Sequence, residues 1–390
     1  MALSRWNIMV MALCTGLIVA NIYYSQPLLE LISKEFGVTE SNAGQVTFFT
    51  QVGYALGLLC CVPLGDKLER KKQIVVMTLA AAVALVAAAK SVNINMLKIT
   101  GLLIGFTSVV PQLVLPLAAN LSDPTNRGKV IGTIMSGLLV GILLSRTLSG
   151  IVGHHFGWRA MFWIAAGISA LLAVIMMLSF PSSNSTFGGS YGQLMKSLFT
   201  LIREQPVLRE ASAINACCFA MFGMFWTTVV FLLSAAPFHY TSAQIGLMGL
   251  AAAAGALGAP LVGRIADKKN PRIAIGYGIL FLFLGYFLFY TFQANVIGII
   301  LGIVAIDLGL QGIHVSNQTR IYTLLPEARN RLNTVFMTAS FIGTSLGSGI
   351  GLWVWSIARW NGVCIAGTAL ITAALLIYLA TYKKANVINA

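Results

Sequence analysis

The chain alternates long apolar stretches with short polar ones. Twelve stretches reach the roughly 20 apolar residues that cross the hydrocarbon core of a bilayer. They run over 6–30, 43–65, 73–91, 96–120, 129–152, 159–180, 209–236, 244–265, 273–292, 296–321, 332–357 and 361–382. The pattern predicts an all-α membrane protein of twelve transmembrane helices. The first stretch is long, lacks a small-residue cleavage site and runs on into Asn21–Leu29. It is expected to remain as a helix rather than leave as a signal peptide.

The tenth stretch departs furthest from uniform apolarity. Between Val296 and Leu325 it carries Asp307, Gln311, His314 and Gln318, spaced i, i+4, i+7 and i+11. At about 100° per residue these positions form one stripe on one helix face. A carboxyl and an imidazole at membrane depth are costly unless they face protein or water. The stripe is expected to line a water-filled path, with a polar seam between helices as the alternative.

Composition agrees with this picture. Only 9% of residues are charged, 57% are hydrophobic and the mean hydropathy is +0.84, which excludes a soluble domain. Cations are unevenly placed. Nineteen Lys and Arg residues fall at loops or stretch ends on the side of the N-terminus and five on the other, while Arg146 alone remains at membrane depth. Positive charge collects on the cytoplasmic side of membrane proteins. Both termini are therefore expected in the cytoplasm, and the net charge of +14 is topological rather than a sign of a nucleic-acid partner. The six cysteines all fall in the stretches, without a disulfide framework or zinc spacing. They read as small core residues, and no metal or cofactor is expected.

Shifting the sequence by about 202 residues superimposes landmarks: Gly44 on Gly246, Pro124 on Pro326, Arg127 on Arg329 and Trp158 on Trp360. Asp66 meets Asp267 one residue out of step. The chain thus divides into two parallel six-helix halves, 1–180 and 209–390, joined by a cytoplasmic linker over 181–208. The linker opens on Ser and Gly and continues into Gln193–Arg203, whose sequence suits an amphipathic helix on the membrane surface.

Two loops carry a family resemblance. Pro63-Leu64-Gly65-Asp66-Lys67-Leu68-Glu69-Arg70-Lys71-Lys72 follows the second stretch, and Gly263-Arg264-Ile265-Ala266-Asp267-Lys268 follows the eighth. Both resemble the G-x-L-A-D-R-x-G-R-[RK] signature of the major facilitator superfamily, although Val62 and Glu69 stand where glycines are usual. The segment Asn21-Ile22-Tyr23-Tyr24-Ser25-Gln26-Pro27-Leu28-Leu29 looks like a motif of one bacterial branch near the twelve-span drug:proton antiporters. The resemblance implies a transporter of two pseudo-symmetric halves in the bacterial inner membrane, working by alternating access. It further implies a conformational clamp built from Asp66, Arg70, Arg264 and Asp267, with Arg127 and Arg329 as additional partners. One departure stands out: Ser145-Arg146 occupy the Gly-Pro positions of the antiporter signature in the fifth stretch. That puts antiport in question. Arg146 itself needs a partner at that depth, and Asp307 and Glu30 are the acids within reach, unless it snorkels to the outer interface.

In the family the first, fourth, seventh and tenth helices line a central cavity. The corresponding residues here are Asn21, Tyr23, Tyr24 and Gln26; Gln112; Trp226; and Gln311, His314 and Gln318. Gln51 and Tyr54 join them from the second stretch. Amides among aromatic rings suit a small, partly apolar compound. No G-x-x-x-x-G-K-[ST] sequence is present, so nothing points to ATP, and no catalytic constellation has recognisable spacing. The chain is not expected to be an enzyme. An ion gradient remains as the energy source. Asp307 is the expected proton-coupling acid, with His314 a second titrating or substrate-binding group and Glu30 an alternative acid. The expected partners are the bilayer, protons and a small-molecule substrate, handled by a monomer. The leading expectation is proton-coupled efflux, ahead of an uptake symporter or facilitator. A membrane sensor without flux is the remote alternative.

Overall fold

The computed structural model describes residues 4–123, 126–182, 188–257, 271–325 and 328–388. Among these residues all regular secondary structure is helical. Nine stretches are long and apolar enough to cross a membrane. One of them, Arg329–Thr381, is 53 residues long and is two spans joined at Arg359, where the backbone leaves helical geometry. Arg5–Ala20 and Ser242–Gly255 are shorter apolar helices. Together they account for the twelve stretches expected.

The chain forms two compact units, Met1–Met195 with Tyr240–Gly249, and Lys196–His239 with Leu250–Ala390. The first contains α1 (Arg5–Ala20), α2 (Leu29–Phe36), α3 (Glu40–Cys60), α4 (Arg70–Ala89), α5 (Ile94–Thr107), α6 (Val110–Leu121), α7 (Arg127–Phe156) and α8 (Trp158–Ser179). α9 (Tyr191–Glu204) and α11 (Ser242–Leu257) each contribute to both units. The second unit holds α10 (Pro206–Ser234), α12 (Pro271–Thr291), α13 (Val296–Tyr322) and α14 (Arg329–Ile388).

Each unit is held by close helix approaches at glycine. A Cβ on Gly105 would stand 1.9 Å from the Thr50 carbonyl oxygen, so α5 can lie this close to α3 only without a side chain there. Gly141 presses on Gly16 of α1 in the first unit, and Gly343 on Ala216 of α10 in the second. These two glycines are 202 residues apart and their partners 200, so a similar close approach recurs in both units two residues out of step. The outer faces stay apolar: Val83, Leu178, Ile297, Trp353 and Ile365 are all exposed.

The amphipathic segment of the linker is a helix, α9. Leu194, Leu198 and Leu201 are buried along one side of it, while Phe199 and Arg203 are exposed on the other. The Tyr191 hydroxyl donates to the Cys60 carbonyl at 3.0 Å, tying the linker to the end of α3. Burial of that phenol raises its pKa above the usual tyrosine range.

Candidate functional site

The first expected span is not one helix. α1 ends at Ala20, and Asn21 to Leu28 continue as turns and a short 3-10 segment before α2 begins. Over this stretch the backbone closes tight i to i−3 bonds: Asn21 N–H to Ile18 O, Tyr23 to Ala20, Gln26 to Tyr23 and Leu28 to Ser25. Pro27 has no N–H to give and crowds the carbonyl four residues back. The tightening already starts at Asn21, however, so the interruption is longer than a single proline kink. A freed backbone group at this depth needs a partner from another helix. Ser149 of α7 supplies one, donating to the Tyr24 carbonyl at 2.5 Å.

α7 contributes a second group one turn away. Arg146 is 2% exposed; its Nε donates to Gln26 Oε1 at 2.8 Å and its guanidinium lies 4.7 Å from the Tyr23 ring centroid. The side chain is thus buried in the first unit and does not snorkel. Glu30, one of its two expected partners, pairs with Lys34 at 2.6 Å on the surface of α2. Ser25 and Thr47 share a buried hydroxyl bond at 3.1 Å, and the Tyr54 hydroxyl bonds Gln112. Asn21 and Gln51 are buried on the same unit. The α5–α6 break at Ser108 and Val109, next to Pro111, sets Gln112 at the start of α6. Tyr23, Gln26, Arg146, Tyr54 and Gln112 therefore belong to one unit, organised around an unwound backbone segment. Polar side chains on interrupted helices at mid-membrane are the usual setting for transporter binding sites.

In the second unit the stripe on α13 divides. Asp307 is buried at 4% exposure, and a Cβ on Gly255 of α11 would come within 2.8 Å of the Asp307 Cβ and 2.7 Å of the Val304 carbonyl oxygen. Gln311 is half-buried. The His314 ring lies between Phe219 and Phe336, at 5.5 and 5.3 Å. Its Nδ1 is 3.2 Å from Asn215 Nδ2 of α10, and the same amide nitrogen donates to Ser340 Oγ of α14 at 2.6 Å. Gln318 is turned to other work: it donates to the Tyr322 hydroxyl and to Asn333 Oδ1, both at 3.1 Å, bracing the α13–α14 corner. Trp226 is buried against Phe222 and Phe225, and Phe225 stacks on Phe289 at 4.4 Å, so this part of α10 packs as core.

Two of the residues expected in the clamp, Asp66 and Arg70, pair within the first unit. Arg70 is buried, donates from Nη2 to Asp66 at 2.5 Å and from Nε to the Gly65 carbonyl at 2.9 Å. Arg127 is exposed, and Arg329 donates to the Tyr322 carbonyl at 3.1 Å. Arg264 and Asp267 lie outside the described residues. At the corresponding end of the second unit stands a cluster that the sequence reading missed. Glu210 of α10 accepts from Arg272 of α12 and from Arg320 of α13, with side chains between 6% and 12% exposed. Arg272 also donates to the Thr381 carbonyl at 2.9 Å, and Arg320 to Asn317 Oδ1 at 3.2 Å. Arg272 is 202 residues beyond Arg70. A second missed cluster closes the far end of the first unit: Glu35 accepts from Trp158 Nε1 at 2.6 Å and from Arg159. Among the described residues, no group of three His, Cys, Asp or Glu side chains is placed to hold a metal ion.

Known proteins place this architecture. The sequence profile of the Major Facilitator Superfamily matches residues 11–348 and again 216–388. The uncharacterized transporter YgaY of Escherichia coli O157:H7 is 42% identical over 387 residues, 99% of this chain and 98% of its own length. The inner membrane transport protein YnfM of Escherichia coli (strain K12) is 24% identical over 371 residues, covering 94% of this chain and 88% of that protein. Among solved structures, the nucleoside transporter NupG superposes with a TM-score of 0.75 over 97% of this chain and 98% of its own, at 15% identity, a likeness of fold. This multi-pass membrane protein belongs to the major facilitator superfamily of transporters.

Proposed function

We propose that the protein exports a small, partly apolar compound in exchange for protons, by alternating access of halves 1–180 and 209–390 about the linker 181–208. Asp307 is the coupling acid in this reading. The observation that carries it is a carboxylate at 4% exposure near the middle of α13, a helix of 27 residues. An ionisable group kept at that depth is functional by default. His314, two turns along the same helix, is the second titrating group. In the first unit Asn21, Tyr23, Tyr24, Gln26, Gln51, Tyr54 and Gln112 offer the compound both rings and amides. The charge distribution orients the chain with both termini in the cytoplasm of a bacterial inner membrane.

A second reading, an uptake symporter or facilitator using the same polar faces, is favoured by one observation. Arg146 stands where the antiporter signature has proline, and it is buried against Gln26 and Tyr23. The two readings part in proteoliposomes that hold a pH-sensitive dye. Under the first, a panel of lipophilic cations, sugars, amino acids and siderophore-like compounds contains one that moves protons with the wild-type protein and not with Asp307→Asn. A compound that exchanges downhill equally well in both proteins, with no proton movement, supports the facilitator instead.

A further inference from the structure

Asn215 ends up with an unusual hydrogen-bond account. It is fully buried, and its Nδ2 serves two partners, Ser340 Oγ at 2.6 Å and His314 Nδ1 at 3.2 Å. Its Oδ1 is buried with no protein partner. Ser340 in turn gives its proton to the Phe336 carbonyl at 2.8 Å, so its oxygen is the acceptor toward Asn215. An amide nitrogen has two N–H donors and no lone pair to offer. The second N–H therefore points at His314 Nδ1, which must accept. With the amide in this orientation the ring is neutral, with its proton on Nε2.

A protonated ring cannot keep this pattern, because Nδ1–H would then face an N–H donor. The same heavy atoms offer a second pattern if the Asn215 amide turns over and its NH2 moves to the place where Oδ1 lay idle. Oδ1 then accepts from His314 Nδ1–H. The Ser340 hydroxyl rotates away from the Phe336 carbonyl and donates to Oδ1 as well. Protonation so exchanges an idle acceptor for one used twice and an engaged NH2 for an idle one, and it frees a backbone carbonyl of α14. A buried carbonyl that loses its side-chain donor and an amide that reverses are changes in two other helices, produced by one proton on a third. The rings packed on His314, Phe219 of α10 and Phe336 of α14, do not titrate, and neither do Gln311 and Gln318 on α13 itself. The nearest charged groups of those helices are Asp307, two turns away, and the Glu210–Arg320 pair at the helix ends.

We propose that Asn215 is a positioning residue that reads the protonation state of His314 and passes it, through Ser340, from α13 to α10 and α14. The proposal rests on the reading of His314 as a titrating group of a proton-coupled transporter.

The test is solid-state nuclear magnetic resonance on the full chain in lipid bilayers, with 15N-labelled His and Asn. His154, His155 and His239 are replaced by Gln so that the remaining ring signal is His314, and the Asn215 amide signal is assigned by its loss in Asn215→Leu. At high pH the ring is expected as the Nε2–H tautomer. On acidification the Asn215 amide signal should move with the same midpoint as the ring. In the flux assay, Asn215→Leu should lower substrate-driven proton movement about tenfold, the scale of one lost buried hydrogen bond, while substrate exchange persists. Should Asn215→Leu not reach the membrane, Ser340→Ala, which removes a single hydroxyl, takes its place in the flux arm. An Nδ1–H tautomer, or an Asn215 signal that ignores the His314 titration, overturns the proposal even when proton coupling is intact. If ring and amide move together but no compound moves protons, the coupling reading falls and the local switch stands.

Discussion

Gly157 and Arg359 hold the same backbone position in the two halves of the chain. They are 202 residues apart, each directly precedes a tryptophan, and each has a positive φ, 79° and 49°. Glycine pays nothing for such a conformation, whereas an L side chain brings its Cβ too close to the backbone. A Cβ on Gly157 would meet nothing within 4 Å, so Gly157→Ala isolates the backbone cost. It is expected to lower stability by about 1–2 kcal/mol, read as an earlier thermal transition of the purified protein. Arg359→Gly should not lower that transition, because relief of the strained backbone offsets loss of the Arg359–Trp355 contact, 5.6 Å to the ring.

Glu210 stands between two buried cations. Glu210→Gln leaves Arg272 and Arg320 without their shared counter-charge, and stranding buried charge costs about 3–5 kcal/mol. The loss should exceed that of any single surface ion pair of the chain. Lys72→Ala, which removes a partner of exposed character 3.0 Å from Glu69, serves as the comparison and should cost less than about 1 kcal/mol. Thermal unfolding of the two variants in one detergent decides the order.

Asp66 and Arg70 are paired in the first unit, and a clamp role for the pair is a proposal that transport can test. Asp66→Asn is expected to slow transport several-fold while the protein still inserts into membranes at wild-type level. Initial rates of substrate exchange, scaled to protein by immunoblot, check this. An unchanged rate would leave the pair with a structural role only.

Gly255 allows α11 to lie against α13 beside Asp307. Gly255→Ala places a methyl group against the Val304 carbonyl, and overpacking of this kind costs about 1–3 kcal/mol. The displacement falls on the proposed coupling acid. Proton movement per molecule exchanged should therefore drop more than exchange itself, a ratio obtained from paired dye and tracer measurements.

Arg146→Lys keeps the charge but loses the planar fork that bonds Gln26 while covering Tyr23. Arginine and lysine are not equivalent at a stacked site. About tenfold slower exchange is expected, with little change in expression. Wild-type exchange in Arg146→Lys would reduce this position to a buried charge and no more.

Most of the architecture could be read from the chain because lipid imposes a simple rule on it. Runs of apolar residues, cations on alternate loops and the recurrence of Trp158 at Trp360 are properties of sequence alone. The Asp66–Arg70 pair was legible for a similar reason, since two residues four apart in sequence meet locally. The site was less so. Gln318 fitted the stripe by spacing, yet Tyr322 and Asn333 engage it, and periodicity cannot say which neighbour a side chain finds. Ser149, Asn215 and Ser340 went unnoticed because a lone serine or asparagine in an apolar run carries no local signal. Arg272 and Arg320 were counted as loop charges. Only the meeting of three helices at Glu210, more than 60 residues away in sequence, turns them inward.

The interruption at Asn21–Leu28 has a mechanical meaning. A continuous helix behaves as a stiff rod and transmits a push along its length. Here the rod is cut into two, α1 and the eight-residue α2, with a joint between them in which tight i to i−3 bonds replace the helical rungs and the Tyr24 carbonyl is held by Ser149 of α7. A tilt imposed on α2 from the far side of the membrane is absorbed at the joint, where Tyr23 and Gln26 sit, and α1 keeps its place. Two of the residues proposed to touch a passing molecule, Tyr23 and Gln26, are thus also those at the fulcrum.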